Sequence, residues 1–227
     1  MRCGIPLTAL PLPSKCYDQT VDTHGLPLHN ETTTSLPIEV LASYSAQEIM
    51  DSFESIVATI LERDGFWVRT SMKVELTKAE KREIDRPSSP RWEIDVVGYR
   101  AGDNLLRVVE CKSYLDSGGV NISAFDTTSK FSGRFKLFNE PTTREVVFRR
   151  LVAQLVASKA ITPNPKIELC LAAGKIVNGN VDPIRSHFQA MGWLLFDPEW
   201  LRQKLLNIAA DGYDNAIAAV TAKLLLR

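Results

Sequence analysis

Three charged residues interrupt two neighbouring apolar segments of the sequence. Asp95 lies inside the run W-E-I-D-V-V-G-Y, and Glu110 and Lys112 close the run L-L-R-V-V-E-C-K. A charge held within an apolar strand costs free energy unless it is paired or hydrogen-bonded. These three positions are therefore the first candidates for chemistry.

The two apolar runs flank a polar turn and predict a β-hairpin over 92–114. Because side chains alternate along a strand, Glu110 and Lys112 share one face and Cys111 points to the other, which argues against a thiol nucleophile. A hairpin that closes symmetrically on the turn pairs residues whose numbers sum to 205, which sets Asp95 opposite Glu110. Opposed Cβ atoms lie about 5 Å apart, where two carboxylates repel by about 3 kcal/mol at an effective dielectric constant of about 20. A divalent cation between them would remove this repulsion, and Mg²⁺ is usually held by a few carboxylates with water.

The composition is that of an ordinary globular protein. The 227 residues are enough for one domain with a substantial core, and 44% are hydrophobic and 24% charged. The formal net charge is zero, so any contact with nucleic acid has to come from a local basic patch. The four cysteines form no C-x-x-C pair, and no apolar run approaches the roughly 20 residues of a membrane span. We therefore expect a cytoplasmic protein with reduced thiols and no membrane contact.

The chain is predicted to divide after residue 44. Residues 1–44 hold five of the twelve prolines, a density that prevents helices and central strands. We predict an extended or disordered arm here and a folded domain over 45–227. The domain opens with a helix introduced by a capping box at Ser45 and Glu48. Glu54 falls at the border of the apolar stripe of this helix.

The rest of the domain alternates strands and helices. A second capping box at Thr142–Glu145 and Asp–Pro pairs at 182–183 and 197–198 mark helix starts. Strands joined by short turns pair antiparallel, and strand–helix–strand crossovers favour parallel pairing. We predict an α/β fold with a mixed central sheet flanked by helices. The predicted elements are helix 45–63, strand Phe66–Leu76, a connecting loop 77–91, the hairpin, a short helix within Ser123–Ser132, helix 142–159, strand Lys166–Ala173, helix 182–192, strand Trp193–Phe196, and helices after Asp197 and over Tyr213–Leu226.

The segment Thr127–Arg150 is the most basic in the sequence, with six basic residues against two acidic ones. Phenylalanines are interleaved with the charges. Such a segment next to the hairpin suits contacts with a phosphate backbone, whereas a solvated helix face explains any one of these charges equally well. The candidate nucleic-acid contacts are Lys130, Arg134, Lys136, Arg149 and Arg150.

At these positions the sequence resembles the PD-(D/E)xK, or restriction-endonuclease-like, nuclease superfamily. The resemblance covers roughly 45–196. It rests on the strand that carries Asp95, the E-x-K strand with Glu110 and Lys112, and the preceding helix with Glu54. It implies a core of αβββαβ order followed by a further helix and strand.

The match to the family's secondary features is partial. Some members carry a Gln on the helix after the E-x-K strand, and Gln154 occupies that place as a possible accessory residue. The Tyr that often stands four residues further on is replaced by Ser158. Ile94 stands where the family's Pro precedes the Asp, as in many members that lack this Pro.

The resemblance implies a nuclease that hydrolyses phosphodiester bonds in DNA with Mg²⁺ or Mn²⁺. In that interpretation, Asp95 and Glu110 bind the metal with the main-chain carbonyl of Cys111 and, directly or through water, Glu54. Lys112 orients or helps to deprotonate the attacking water. The expected partners are DNA and either a second copy of the chain or a partner protein that supplies targeting.

Two other interpretations remain open at the level of sequence. The charged residues of the hairpin could form a plain cross-strand salt-bridge cluster on an exposed sheet face. The domain could also be a catalytically inactive nuclease fold that binds nucleic acid or serves as an assembly subunit. A bare E-x-K triplet is expected about once by chance in a chain of this length, so its context alone favours the nuclease.

Overall fold

The computed structural model of the chain describes residues 52–88, 91–212 and 216–226. All of them fall within one compact unit of the chain. The predicted arm, 1–44, and the predicted capping box at Ser45 and Glu48 lie outside these residues. None of the helices in the described ranges combines the length and hydropathy that a membrane span requires.

Five strands form a mixed sheet at the centre of the domain, which confirms the predicted α/β class. They are β1 (Trp67–Val74), β2 (Trp92–Arg100), β3 (Leu105–Lys112), β4 (Lys166–Ala173) and β5 (Leu194–Phe196). Their order in the sheet follows the sequence. β1, β2 and β3 pair antiparallel, whereas β3, β4 and β5 pair parallel because helical segments cross over between them.

Helices cover both faces of this sheet. Those of the described residues are α1 (52–63), α2 (Lys78–Glu83), α3 (Lys136–Asn139), α4 (Pro141–Ala157), α5 (Val181–Met191), α6 (Pro198–Ala210) and α7 (Ile217–Leu226). Side chains of α4 and α5 pack with Leu106 and Val108 in one cluster, here called the α4 core. Side chains of α1, α6 and α7 pack with Val109 and Cys111 in a second cluster, the α1 core. Successive residues of β3 thus alternate between the two cores.

The segment predicted as a connecting loop, 77–91, contains the short helix α2. A complete capping box starts it: the Glu80 N–H donates to Thr77 Oγ1 at 3.2 Å, and the Thr77 N–H donates to Glu80 Oε2 at 2.8 Å. The prediction of a loop is wrong because α2 buries none of its residues. It therefore shows none of the apolar periodicity from which helices are predicted.

Two of the predicted helix starts are displaced. α4 begins at Pro141, ahead of the predicted capping box at Thr142–Glu145, because proline lacks an N–H and already has the φ of a first-turn residue. α5 is capped by Asn180, which places Asp182 inside its first turn. Asp197 caps α6 as predicted, with its side chain accepting a hydrogen bond from the first turn of the helix.

The hairpin closes with the predicted register. The β2–β3 ladder runs from the turn up to Val96↔Val109, and every pair in it sums to 205. The turn ends at Asn104, which adopts the left-handed conformation with φ of 48°. Asp95 and Glu110 lie one step beyond the last regular pair, so local contacts set their positions.

Gly174 allows β3 and β4 to stay close beyond their last paired residues. Its N–H donates to the main-chain O of Lys112 at 2.9 Å, and a Cβ atom added to it would lie 2.4 Å from Ser113 O. We expect Gly174→Ala to lower the free energy of unfolding by about 1–3 kcal/mol, measured by urea unfolding, because the strand ends beside Lys112 must separate. Gly118→Ala is the control, since its added Cβ meets no atom within 4 Å. Equal losses in the two variants would contradict this account.

Candidate active site

The ammonium group of Lys112 lies among three oxygen atoms from β2 and β3. Its Nζ donates to Glu110 Oε1 at 2.5 Å and to the main-chain O of Cys111 at 3.1 Å, and it lies 3.9 Å from Asp95 Oδ2. Asp95 Oδ2 also accepts from the main-chain N–H of Cys111 at 2.6 Å. The three charged side chains are only 16–17% exposed. The structure thus brings the three residues of the hairpin to one largely buried point.

The position of Asp95 depends on an irregularity shared by β1 and β2. Regular pairing of these strands skips Ser71, which stands opposite Asp95 and has a left-handed φ of 49°. Residues two apart on a regular strand share a face, yet Ile94 lies in the α4 core and Val96 in the α1 core. At Asp95, the side chains of β2 therefore switch from one face of the sheet to the other. A β-bulge can redirect side chains beside a functional site in the same way.

Glu54 approaches the same place from α1. It is only 5% exposed, and Ser71 Oγ donates a long hydrogen bond of 3.4 Å to its Oε2. Burial, the charge of Asp95 and the charge of Glu54 together raise the pKa of the Cys111 thiol well above its ordinary value. The acidic residue of the first helix therefore lies near Ser71 and Cys111, the two residues that flank Asp95 on neighbouring strands.

The oxygen atoms around Lys112 Nζ are of the kind that bind Mg²⁺ or Mn²⁺. Two carboxylates and a main-chain carbonyl are hard ligands, and a cationic group already lies at their centre. Among residues 52–88, 91–212 and 216–226, no group of three or more His, Cys, Asp or Glu side chains has the arrangement of a metal site. A third carboxylate ligand, from Glu54, thus stays a prediction, whereas the donor set of Asp95, Glu110 and the Cys111 carbonyl fits a hard divalent cation.

Negative charge exceeds positive charge at this point, and the pKa values reflect it. Burial and the charge of Glu110 raise the pKa of Asp95 to about 6, against opposing effects of Lys112 and the Cys111 N–H. Burial lowers the pKa of Lys112, but the charges of Glu110 and Asp95 and the hydrogen bond to Glu110 outweigh it, so this pKa is raised. Lys112 therefore carries its proton at neutral pH, and Asp95 is ionised there at a cost in free energy.

The thiol of Cys111 takes no part in this group of charges. It packs in the α1 core, on the face opposite to Glu110 and Lys112, as strand alternation predicts. Its raised pKa keeps it in the neutral form, whereas the thiolate is the nucleophilic form. Cys111 contributes to the site through its main-chain N–H and carbonyl group.

A basic cleft of about 300 Å³ opens beside Glu110. Arg134 and Lys136, two of the predicted nucleic-acid contacts, line it together with Arg86 and Arg91 from the segment before β2. Four basic side chains and the carboxyl group of Glu93 therefore border the approach to Glu110, and Arg91 also pairs with Glu75 at 3.6 Å. The excess of positive charge along the cleft matches the charge of a phosphate backbone.

Arg86 is fixed in place at the wall of this cleft. Its Nη2 donates to both carboxylate oxygens of Glu140, at 2.7 and 2.9 Å, and its guanidinium lies 5.8 Å from the centroid of the Trp92 ring. Its Nη1 is buried and has no hydrogen-bond partner among the described residues, so this atom is closed to a ligand in the cleft. The sequence pattern does not single out Arg86 and Arg91, because 77–91 has the composition of a plain connection. Their position just before the strand of Asp95 was the available signal.

Two of the predicted nucleic-acid contacts instead join α4 to α2. Arg149 Nη2 donates to Glu83 Oε2 at 2.8 Å, and Arg150 Nε donates to the carboxylate oxygens of Glu80 at 3.1 and 2.9 Å. Their charges are balanced within the fold, which favours the alternative of a solvated helix face, and their contact with nucleic acid stays a prediction. Lys130 is exposed.

Gln154 is bound to the edge strand of the sheet. Its Oε1 accepts from the Glu75 N–H at 2.7 Å, and its Nε2 donates to the main-chain O of Lys73 at 3.2 Å. Both ends of the amide thus dock α4 on the end of β1. These contacts give Gln154 a structural role, and the accessory role suggested by the resemblance stays a prediction.

We expect the double substitution of Arg134 and Lys136 by alanine to weaken oligonucleotide binding about tenfold or more. Two fewer phosphate contacts should also lower the slope of log K against log salt by about 1–2. Fluorescence anisotropy titrations between about 50 and 200 mM salt measure both quantities. Arg149→Ala is the control and should change the affinity less than about twofold, because Glu83 already pairs with this charge. A larger loss for Arg149→Ala than for the double variant would place the interface on α4 instead.

Comparisons with known proteins add no evidence on the function of this site. The chain matches no family model. Searches of the curated proteins and of the solved structures likewise found no significant match. What the site can do therefore follows from the residues, distances and charges described above.

Proposed function

We propose that this protein is a metal-dependent nuclease of the restriction-endonuclease-like type, which hydrolyses phosphodiester bonds in DNA with Mg²⁺ or Mn²⁺. The observation that carries the proposal is the grouping of Asp95, Glu110 and Lys112 beside a basic cleft. The order and pairing of the strands are compatible with the αβββαβ core that the resemblance implies. The choice of DNA over RNA comes from the resemblance alone.

A plain salt-bridge cluster accounts less well for the same residues. Such a cluster would balance its charges on an exposed face, whereas Asp95 and Glu110 share the single ammonium of Lys112 and all three are mostly buried. Burial and the negative charge of Glu110 raise the pKa of Asp95 to about 6, so ionised Asp95 destabilises the folded protein at neutral pH. Functional sites often keep unfavourable charge because the chemistry requires it.

In the proposed reaction, Asp95, Glu110 and the Cys111 carbonyl would hold the cation, and Glu54 would support them from α1. The cation supplies positive charge to a phosphoryl oxygen and lowers the pKa of a water molecule. The basic side chains of the cleft position the phosphate groups of the strand. Lys112 stabilises the negative charge that develops on the attacked phosphate.

The raised pKa of Lys112 depends on its negatively charged neighbours. The charges of Glu110 and Asp95 raise the pKa of its Nζ, whereas burial lowers it. If the carboxylates are neutralised, burial becomes the dominant effect and the amine can release its proton. Protonated Lys112 would orient the attacking water, and Lys112 would help to deprotonate this water only once the carboxylates are neutralised.

Cleavage of an end-labelled DNA strand by the full chain tests the proposal. We expect products in Mg²⁺ or Mn²⁺ and none in EDTA. Glu110→Gln preserves shape but removes a ligand charge, and it should lower the rate by about 10²-fold or more. Glu199→Gln, an exposed carboxyl on α6, is the matched control and should cleave normally. Binding without cleavage by the wild type would favour the inactive nucleic-acid-binding module, and the absence of both would overturn the proposal.

A further inference from the structure

A second pocket, of about 290 Å³, adjoins the basic cleft and shares Arg134 with it. It is lined by the loop after β3 and by the segment that leads into α3, including Tyr114, Asn121 and Phe131. Tyr114 follows Lys112 by two residues, and Arg134 lines both the pocket and the cleft that contains Glu110. The pocket therefore lies next to the site where cleavage is proposed.

Phe131 is the member of the interleaved phenylalanines that stays outside the core. Phe135 and Phe138 are buried, whereas Phe131 is 39% exposed. Two cations flank its ring: Lys130 Nζ lies 5.0 Å and the guanidinium carbon of Arg134 5.8 Å from the ring centroid. Aromatic rings next to basic groups bind single strands, because the ring stacks on a base while the cations contact its phosphates.

Another part of the pocket lining is main chain held by a parallel bridge between Val120 and Ile176, just beyond the end of β4. The Val120 N–H donates to Lys175 O at 2.9 Å, and the Val177 N–H donates to Val120 O at 2.9 Å. Gly119, with φ of 96°, lies so close that an added Cβ would be 2.9 Å from the carbonyl carbon of Ile176. The wall is therefore fixed before any ligand enters, and a preformed pocket avoids the free-energy cost of ordering on binding.

We propose that this pocket accepts an unpaired base of the substrate strand, so that the protein acts on nucleic acid with a single-stranded segment in preference to uninterrupted duplex. The inference rests on the proposed function, because it names the substrate of the same site. A base inside a duplex can reach the ring of Phe131 only by leaving the stack, which costs free energy. A single-stranded segment avoids that cost.

Binding of two labelled oligonucleotides to the full chain in EDTA tests the inference. One is a single strand of about 12 nucleotides, a length within the site sizes of single-strand-binding folds, and the other is a blunt hairpin duplex of the same sequence. We expect the wild type to bind the single strand at least about tenfold more tightly. Phe131→Ala should weaken single-strand binding by roughly 5- to 100-fold and change duplex binding less than twofold. Leu115→Ala, which removes an exposed apolar side chain from the loop after β3, should change neither affinity.

The possible outcomes distinguish failure of this inference from failure of the proposed nuclease function. Metal-dependent cleavage with equal affinity for the two oligonucleotides, or equal losses for both in Phe131→Ala, would overturn the inference and leave the nuclease intact. The absence of both binding and cleavage would overturn the two together. Since Phe131 is exposed, Phe131→Ala should have a melting temperature within a few degrees of that of the wild type. A second variant, Phe131→Leu, tests whether an apolar side chain without a ring restores single-strand binding.

Discussion

Lys112→Ala is expected to lower the rate of metal-dependent DNA cleavage by about 10²- to 10⁴-fold while the protein still binds the cation. In the proposed mechanism, the substitution removes the amine that orients or helps to deprotonate the attacking water. The oxygen atoms of Asp95, Glu110 and Cys111 that are proposed to bind the cation remain, and they lose a competitor, because Lys112 Nζ donates to two of them. Affinity for Mn²⁺ should therefore be unchanged or higher. Single-turnover cleavage and isothermal titration with Mn²⁺ measure the two effects separately.

The control for this prediction is Lys166→Ala. Lys166 begins β4, at the opposite end of the β3–β4 pairing from Lys112, and its side chain is 72% exposed. Its replacement should leave the cleavage rate within about twofold. Cleavage at the wild-type rate by Lys112→Ala would remove Lys112 from the mechanism, and loss of Mn²⁺ binding in that variant would give it a merely structural role.

Asp95→Asn is expected to raise the free energy of unfolding in EDTA by about 1–3 kcal/mol at neutral pH. The pKa of Asp95 is about 6 in the folded protein, above its ordinary value of 3.8, and each pKa unit corresponds to about 1.4 kcal/mol. Asparagine is uncharged, as the protonated acid is, and it can still accept from the Cys111 N–H. The substitution therefore removes the cost of burying a charge beside Glu110.

The pH dependence of stability gives the sign of this effect. The folded protein binds the Asp95 proton more tightly than the unfolded chain does, so protonation of Asp95 stabilises the wild type. This stabilisation is complete below about pH 4 and is lost as the pH rises through about 6. The advantage of Asp95→Asn over the wild type should be small at about pH 4 and complete above about pH 7. Urea unfolding in EDTA at a series of pH values measures it.

Asp126→Asn is the control, because the pKa of this carboxyl is lowered in the folded protein whereas that of Asp95 is raised. Hydrogen bonds from the N–H and hydroxyl of Thr128 lower the pKa of Asp126, so its amide variant should gain no stability at neutral pH. Titration with Mn²⁺ should raise the melting temperature of the wild type and leave that of Asp95→Asn unchanged. A loss of stability in Asp95→Asn would identify a stabilising salt-bridge cluster instead.

Most of the sheet could be predicted because its determinants are local. Alternation of apolar residues assigns the two faces, and the position of the turn sets the hairpin register, so the pairing of Val96 with Val109 follows from counting. The irregularity at Ser71 and Asp95 could not be predicted in this way. The left-handed φ of Ser71 and the switch of faces in β2 depend on tertiary packing on the two sides of the sheet. The periodicity of apolar residues in the sequence contains no information about this packing.

Charged residues were harder to assign than apolar ones. Arg149 and Arg150 pair with acids 66 and 70 residues away, and these pairs form only once α2 packs on α4. Arg86 and Arg91 enter the cleft from a segment whose sequence pattern suggests only a connection. A basic segment indicates that phosphate contacts are possible, whereas tertiary partners decide which charges are available for them.

The burial of Cys111 and Cys170 on adjacent strands allows the opening of the sheet to be measured by alkylation. Both thiols are at most 5% exposed, and a reagent reacts only with a thiolate that it can reach. Modification of the native protein must therefore wait for β3 and β4 to open, and its rate, relative to that of a free cysteine, gives the free energy of this opening. Peptide mass spectrometry with and without Mn²⁺ would then report how strongly a bound cation holds these strands together beside Lys112.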